Sequence, residues 1–476
     1  MRVISTQPLF AWEALDDSPS IQTLGQLLAA IPDATLLASL RQSRGRGRDD
    51  YPVRVLWGTV LLTIVLRHTS IEACLQELRR NAPLRRLIGI AHEQGVPQKW
   101  NISRFLGVLG QKPHRDYLTD IFNAMIRVLG GTVDDLGQRL AGDSTALCAR
   151  GHKVRVEEKV SGAGQKTLSL PVIDQGDAPT TSEGDLPAPT GGRKEYTDDQ
   201  GKVTRVLTWM GYKLHLLVDV RHEVAVAYRI TTANAGDSTE LPALLAAAQG
   251  NLPEKRIVSL AYDKACDDHG THLLLWQQGV HPVIENRNLW KQDLERMLPG
   301  HDGHSNIVHD EAGTVYCYDK VSEPPVRHKM AYMGHESSRG TLKYRCPAVH
   351  NGMSCPSMDR CNKNKPYGLT VRVKQEIDLR RFPPVPRATK QFEKLYKGRT
   401  AVERVNARLK LFWGADDGNI TGARRFHAFV GMVMVAHAAF ATMLAAAPRH
   451  GVGKAGPLGA LHLGKVQKAL RERIHL

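Results

Sequence analysis

Tyr396-Lys-Gly-Arg399-Thr-Ala-Val-Glu403-Arg-Val-Asn-Ala-Arg-Leu-Lys410 sets a tyrosine, an arginine, a carboxylate and a lysine at offsets 0, 3, 7 and 14. On an α-helix, which turns about 100° per residue, those offsets fall within an arc of roughly 60°. One glutamate then stands in a row of phosphate-binding groups. A carboxylate between cations suits a phosphodiester held over a divalent metal. The plainer alternative is a solvated helix with Arg399 and Glu403 as an i,i+4 ion pair.

A metal-binding glutamate needs further acids, and the chain offers two upstream. Leu-Ala-Gly-Asp143-Ser-Thr-Ala-Leu reads as a strand that ends by exposing a carboxylate. Ile257 to Tyr262 is apolar and partly β-branched, as a buried parallel strand should be, and Asp263 follows at its end. Ligands collect at such strand ends in open α/β sheets. Between these acids, Trp209 to Val220 and Ala225 to Leu241 read as two antiparallel strands turning through Arg221-His222-Glu223, then a loop and a helix. Asp237 is a competing acid, for which a helix cap is the simpler role.

The spacing Tyr-x-x-Arg-x-x-x-Glu, then six residues and Lys, resembles the Tyr-Arg-Glu-Lys signature of insertion-sequence DDE transposases. Asp263-Lys-Ala-Cys-Asp267 is similar to that family's Asp-Lys-Gly-Tyr-Asp, with Ala265 and Cys266 as departures. Gly211-Tyr-Lys and Ala233-Asn-Ala-Gly-Asp-Ser238 resemble its second- and third-strand patterns. The resemblance implies an α/β fold: a ribonuclease-H-like mixed sheet flanked by helices, with an N-terminal all-helical domain and an insertion between the second and third acids. It implies catalysis by Asp143, Asp263 and Glu403 holding two Mg²⁺, for which Mn²⁺ can substitute. Tyr396, Arg399 and Lys410 would contact DNA phosphates. The reaction would be hydrolysis at an element end, then strand transfer, cut-and-paste, with hairpin ends as one route. The partners would be double-stranded DNA, both terminal inverted repeats and target, bridged by a homodimer. Trp290 could stack on a flipped base, a core position being the simpler alternative.

Composition is consistent with this. The chain has 476 residues, a net charge of +16 and 42% hydrophobic residues, enough for two or three domains and a polyanionic partner. Arg387 to Lys410 carries eight Lys or Arg against two acids. The first residues lack an apolar secretory run, so a cytoplasmic, nucleoid-associated protein is expected. Phe426 to Ala447 is long enough to span a bilayer, yet its His427, His437 and many alanines favour a buried core helix, and no membrane partner is expected.

Seven cysteines argue against a disulfide framework. Cys317, Cys346, Cys355 and Cys361 cluster in one basic segment and could supply four thiolates to a structural Zn²⁺, with His350 as a substitute. The alternative is a set of reduced thiols in a loop-rich insertion.

The expected organisation is a lead-in and basic linker over 1–50, a helical DNA-binding domain over 51–132 and the first part of the core over 133–290. A mobile loop is expected over 155–195, the cysteine-bearing insertion over 291–386, the second part of the core over 387–447 and a basic tail over 448–476. Thr69-Ser-Ile-Glu72 reads as a capping box, and Asn101 as starting a later helix after an N-cap. Basic helix ends, Arg104 among them, fit a helix-turn-helix-like DNA reader; a plain packing domain is the alternative. Rival functions are a nuclease or resolvase on the same scaffold, a non-catalytic DNA-binding descendant of a transposase, and a zinc-dependent regulator.

Overall fold

The computed structural model describes residues 19–45, 50–149, 155–158, 186–197, 202–290, 294–300, 306–363, 365–416 and 420–446. The basic tail over 448–476 and most of the basic linker lie outside these.

Helices come first: Pro19–Ala29, Ala34–Arg44, Val53–Val65, Ile71–Arg80, Ala82–Leu87, Lys99–Leu109 and His114–Thr132. Ser70, rather than Thr69, caps Ile71–Arg80, accepting from the Ala73 N–H at 3.1 Å. Asn101 is not a first residue but the third of its helix, its side chain accepting from the Gln98 N–H at 2.9 Å. The apolar Ala423–Ala446 helix packs against Val53–Val65, Lys99–Leu109 and His114–Thr132. By length and composition its Ala423–Ala445 stretch could cross a membrane. Here Val430 and Met432 to Ala436 are fully buried in the protein core, as the sequence suggested.

The main sheet follows: β1 (Arg139–Cys148), β2 (Arg155–Glu158), β3 (Thr190–Thr197), β4 (Val203–Asp219), β5 (Ala225–Thr232), β6 (Ser259–Tyr262) and β7 (His281–Ile284). The two expected antiparallel strands are β4 and β5, turning where predicted. β4 is 17 residues long. Its second half pairs with β1 and β5, and its first half with β2 and β3, all antiparallel. β1, β6 and β7 are parallel. The central order is therefore β5-β4-β1-β6-β7. The helices Asp237–Asn251, His269–Gln277 and Thr400–Leu411 pack on this sheet. One apolar core runs without a break from Leu24 in the helical region through the sheet to Ala441. The whole is a mixed α/β structure with a helical N-terminal region.

The expectation of a mobile loop over 155–195 is corrected at both ends. β2 and most of β3 lie inside it, and Leu186 is buried at 6% exposure; residues 159–185 lie outside those described. Backbone pairing to the long β4 orders sequence that has no apolar alternation to announce it.

The segment between β7 and the Lys390–Tyr396 helix is mostly β, with short helices Pro347–Asn351 and Met358–Asn362. Here β8 (Arg296–Met297), β9 (Ile307–His309), β10 (Val315–Tyr318) and β11 (Arg327–Lys329) form one sheet. A second comprises β12 (Ala331–Glu336), β13 (Thr341–Arg345) and β14 (Thr370–Lys374).

Candidate active site

Asp143 is not at a strand end, as expected, but mid-way along β1, which pairs with β4 through Cys148. What ends beside it is its neighbour. Ala141 is level with Ala261, so two residues on, Asp143 is level with Asp263, just past the last residue of β6. Adjacent strands lie about 4.8 Å apart, so two carboxylates stand on neighbouring strands at one height. The pattern repeats: Tyr262 is level with Ile284, which places Glu285, beyond β7, level with Asp263. Glu285 was missed in the sequence, although Val283-Ile284-Glu285 is the same device as Ala261-Tyr262-Asp263: a short apolar strand finishing on an acid.

Local packing brings these groups close. A Cβ on Gly142 would meet the Tyr262 ring at 1.9 Å, so only glycine lets that ring lie against β1 beside Asp143. A Cβ on Gly398 would meet Val220 at 2.7 Å, so glycine also sets how closely the signature segment approaches the sheet. That segment tightens into a 3₁₀ turn at Lys397–Arg399 between the helices Lys390–Tyr396 and Thr400–Leu411. It is not the single even α-helix on which the 60° arc was drawn.

Three of the four signature residues reach the acids. An Arg399 Nη donates to Glu403 Oε1 at 2.6 Å, and the other lies 4.0 Å from Asp143 Oδ2. The surface-pair alternative for Arg399 and Glu403 thus exists, but within a bridge that includes Asp143. The Tyr396 hydroxyl donates to Glu285 Oε2 at 3.0 Å. Burial first, and then Glu285, push this phenol up to about 12. Lys410 points elsewhere: its ammonium donates to the Ala146 carbonyl on β1 and lies 3.3 Å from Asp416. Arg104 is exposed on the helix Lys99–Leu109, whose buried face is Ile102, Phe105, Leu106 and Leu109. The guanidinium groups of Arg296 and Arg381 lie over the Trp290 ring, at 4.3 and 5.0 Å from its centre.

Burial pushes the Asp143 carboxyl up to about 6, against the attraction of Lys194 and Arg399 and with repulsion from Asp237. Asp237 is not a helix cap: Gly236 holds that position, and the Asp237 side chain turns inward. Its Oδ1 stands 3.2 Å from His215 Nδ1 and 3.9 Å from Lys213 Nζ, near both without hydrogen-bond alignment. Burial raises this carboxyl, but His215, Ser144 and Lys213 outweigh it and hold it below the ordinary value. Asp263 accepts from the Ala265 N–H at 2.9 Å, capping the turn after β6. The fully buried Tyr262 hydroxyl has no hydrogen-bond partner among the described residues, and burial first, then Cys266, Asp237, Asp143 and Asp263, raise its phenol.

The Thr400–Leu411 helix is fixed from behind. Glu223, in the β4–β5 turn at φ 54°, is buried and pairs with Arg404 at 2.6 Å and with Arg408. These pairs set the rotation of the helix that carries Glu403.

Among the described residues, no group of three or more His, Cys, Asp or Glu stands where it could hold a metal ion. The chemistry around Asp143 nevertheless favours a cation. Asp143 is buried near its ionisation threshold, a second inward carboxylate stands nearby, and a phenolic oxygen beside them is unsatisfied. A cation would relieve all three.

Residues 167–439, more than half of the chain, match a family model described as a transposase DDE domain. Asp263 and Glu403 lie within that match, and Asp143 precedes it. Residues 12–107, including Arg104, match a second model described as a transposase domain, DUF772. No curated protein matches the chain.

Proposed function

The chain belongs to the transposase DDE domain family of insertion sequences, and on that premise we propose that it cuts and rejoins DNA through Asp143, Asp263 and Glu403. What supports this reading is the parallel register of β1 and β6, which extended by two residues puts Asp143 level with Asp263 just past the end of β6, with Arg399 between Asp143 and Glu403. The strand order β5-β4-β1-β6-β7, antiparallel then parallel, supports a ribonuclease-H-like core. We assign residues 51–132 to a helical DNA-binding domain, 133–290 and 387–447 to the two parts of the core, and 291–386 to an insertion.

Asp143, Asp263 and Glu403 would hold Mg²⁺ or Mn²⁺, which when bound as a pair activates the attacking oxygen and stabilises the leaving one. Arg399 supplies the positive charge between Asp143 and Glu403 in the free protein. With a cation on the acids, its guanidinium is released to a phosphate of the cleaved strand, where its planar donors fit. Tyr396 is tethered to Glu285, so it orients Arg399 as well as offering its hydroxyl to a phosphate. Lys410, whose ammonium sits on the Ala146 carbonyl of β1 beyond Asp143, would hold the backbone several residues from the cut. Arg104 would contact DNA through the helical region. The substrate is double-stranded DNA, with terminal inverted repeats and a target bridged by a homodimer in the nucleoid of the cytoplasm. Excision would be by cut-and-paste, with hairpin ends as one route.

The test uses oligonucleotide duplexes of the element ends with Mg²⁺. Asp143→Asn, Asp263→Asn and Glu403→Gln should each abolish cleavage while retaining end binding. Normal cleavage by any one removes that residue from the site. A nuclease on the same scaffold would cut without joining, so absence of strand-transfer products with active cleavage would replace this reading by that one.

A further inference from the structure

The four clustered cysteines come from separate pieces of the insertion. Cys317 lies on β10, Cys346 precedes the Pro347–Asn351 helix, Cys355 lies in the loop after it and Cys361 on the Met358–Asn362 helix. All four line one cavity of about 20 Å³. About 10–15 Å³ holds a single water, so this space has the size of one small ion. All four are free thiols. His350, considered as a substitute ligand, does not line this cavity.

The segment also has little apolar core of its own. The insertion's apolar core has nine buried residues, none of them between Cys346 and Gly368. That stretch has two helices of five residues each. So small a core rarely orders such a segment without a staple such as a disulfide or a metal.

We propose that Cys317, Cys346, Cys355 and Cys361 bind one structural Zn²⁺ that ties the Cys346–Gly368 segment to β10. Four thiolates satisfy the tetrahedral preference of zinc and leave no position open for catalysis. Among the described residues no group of three or more His, Cys, Asp or Glu stands where it could hold a metal ion, so the proposal requires the four thiols to draw in around it. Partners for the resulting excess of negative charge are at hand: Asn362 Nδ2 stands 4.0 Å from Cys346 Sγ, and Lys320 lowers the Cys361 thiol against its burial.

The test is metal analysis of the full-length, untagged protein, purified under reducing conditions without chelator. One equivalent of zinc is expected, falling below 0.2 in Cys317→Ser and Cys355→Ser and unchanged in Cys148→Ser, which lies outside the cluster. If the cluster variants do not fold, the wild-type protein still decides. Mercurial titration should release zinc, read by a chromophoric chelator, with the loss of four thiols per ion. Less than half an equivalent of zinc, iron in its place, or zinc retained by both variants would overturn the proposal. Because the readout needs neither DNA nor Mg²⁺, its failure leaves the catalytic assignment standing, and the reverse also holds.

Discussion

Replacing Asp143 with Asn should stabilise the metal-free protein at alkaline pH while abolishing cleavage. In the folded chain burial lifts this carboxyl from 3.8 to about 6. Between those values the native state keeps a proton that the unfolded state has lost. Stability therefore falls as pH rises through that window and stays reduced above it. At about 1.36 kcal/mol per pH unit, the loss amounts to about 3 kcal/mol. The attractions of Lys194 and Arg399 are already contained in this figure, and the side chain is only 12% exposed, so solvent screening removes little of it. Asn has the same shape and never ionises. In urea denaturation with EDTA, D143N should be more stable than wild type by about 3 kcal/mol at pH 8, and the difference should vanish at pH 4. Mg²⁺ without EDTA should then stabilise the wild type and not the variant. A variant less stable than wild type at pH 8, or a gap independent of pH, would refute the account of Asp143 as a buried, cation-seeking acid.

Cleavage itself should decline as pH falls below about 6, because metal binding needs Asp143 ionised; a pH–rate profile that stays flat down to pH 5 would contradict this. Glu223→Gln leaves Arg408 buried without its counter-charge, and should destabilise the chain by about 3 kcal/mol in chemical denaturation, mostly through Arg408, because Arg404 is half exposed. Gly142→Ala drives a methyl into the Tyr262 ring, so it should cost about 1–3 kcal/mol and, by displacing the adjacent Asp263, lower the cleavage rate in the fraction that folds. Arg399→Lys keeps a charge but loses the fork between Asp143 and Glu403; end cleavage should fall by more than the change in stability explains, measured by single-turnover kinetics beside a melting curve.

Legibility followed local pattern. β4, β5 and β6 are apolar runs bounded by turns, and the Ala423–Ala446 helix is a continuous apolar stretch, so each could be read without knowing its neighbours. What could not be read depended on partners. Asp143 lies beside a strand end only because β6 stops at Tyr262, a fact about another segment 120 residues on. β3, with Arg193, Lys194 and Glu195 exposed, has no hydrophobic alternation and is aligned by backbone pairing to β4. Lys410 fitted an ideal helical arc, but the 3₁₀ turn at Lys397–Arg399 winds more tightly than 3.6 residues per turn, which shifts the phase of everything after it. Asp237 has the sequence environment of a cap and the structural environment of an inner acid, because His215 and Lys213 approach it from β4.

Charge balance explains why this arrangement persists without a cation. Asp143, Asp263 and Glu285 form a level row at the ends of β6 and β7 and beside them on β1, with Asp237 near Asp143. Like charges so close favour a counter-ion. Arg399 neutralises the side facing Glu403, His215 and Lys213 the side facing Asp237, and the Tyr396 hydroxyl caps Glu285. Arg399 and the Tyr396 hydroxyl are donors to phosphate as well as to carboxylate, so under the proposed function they could exchange the acids for the DNA backbone once a cation takes their place.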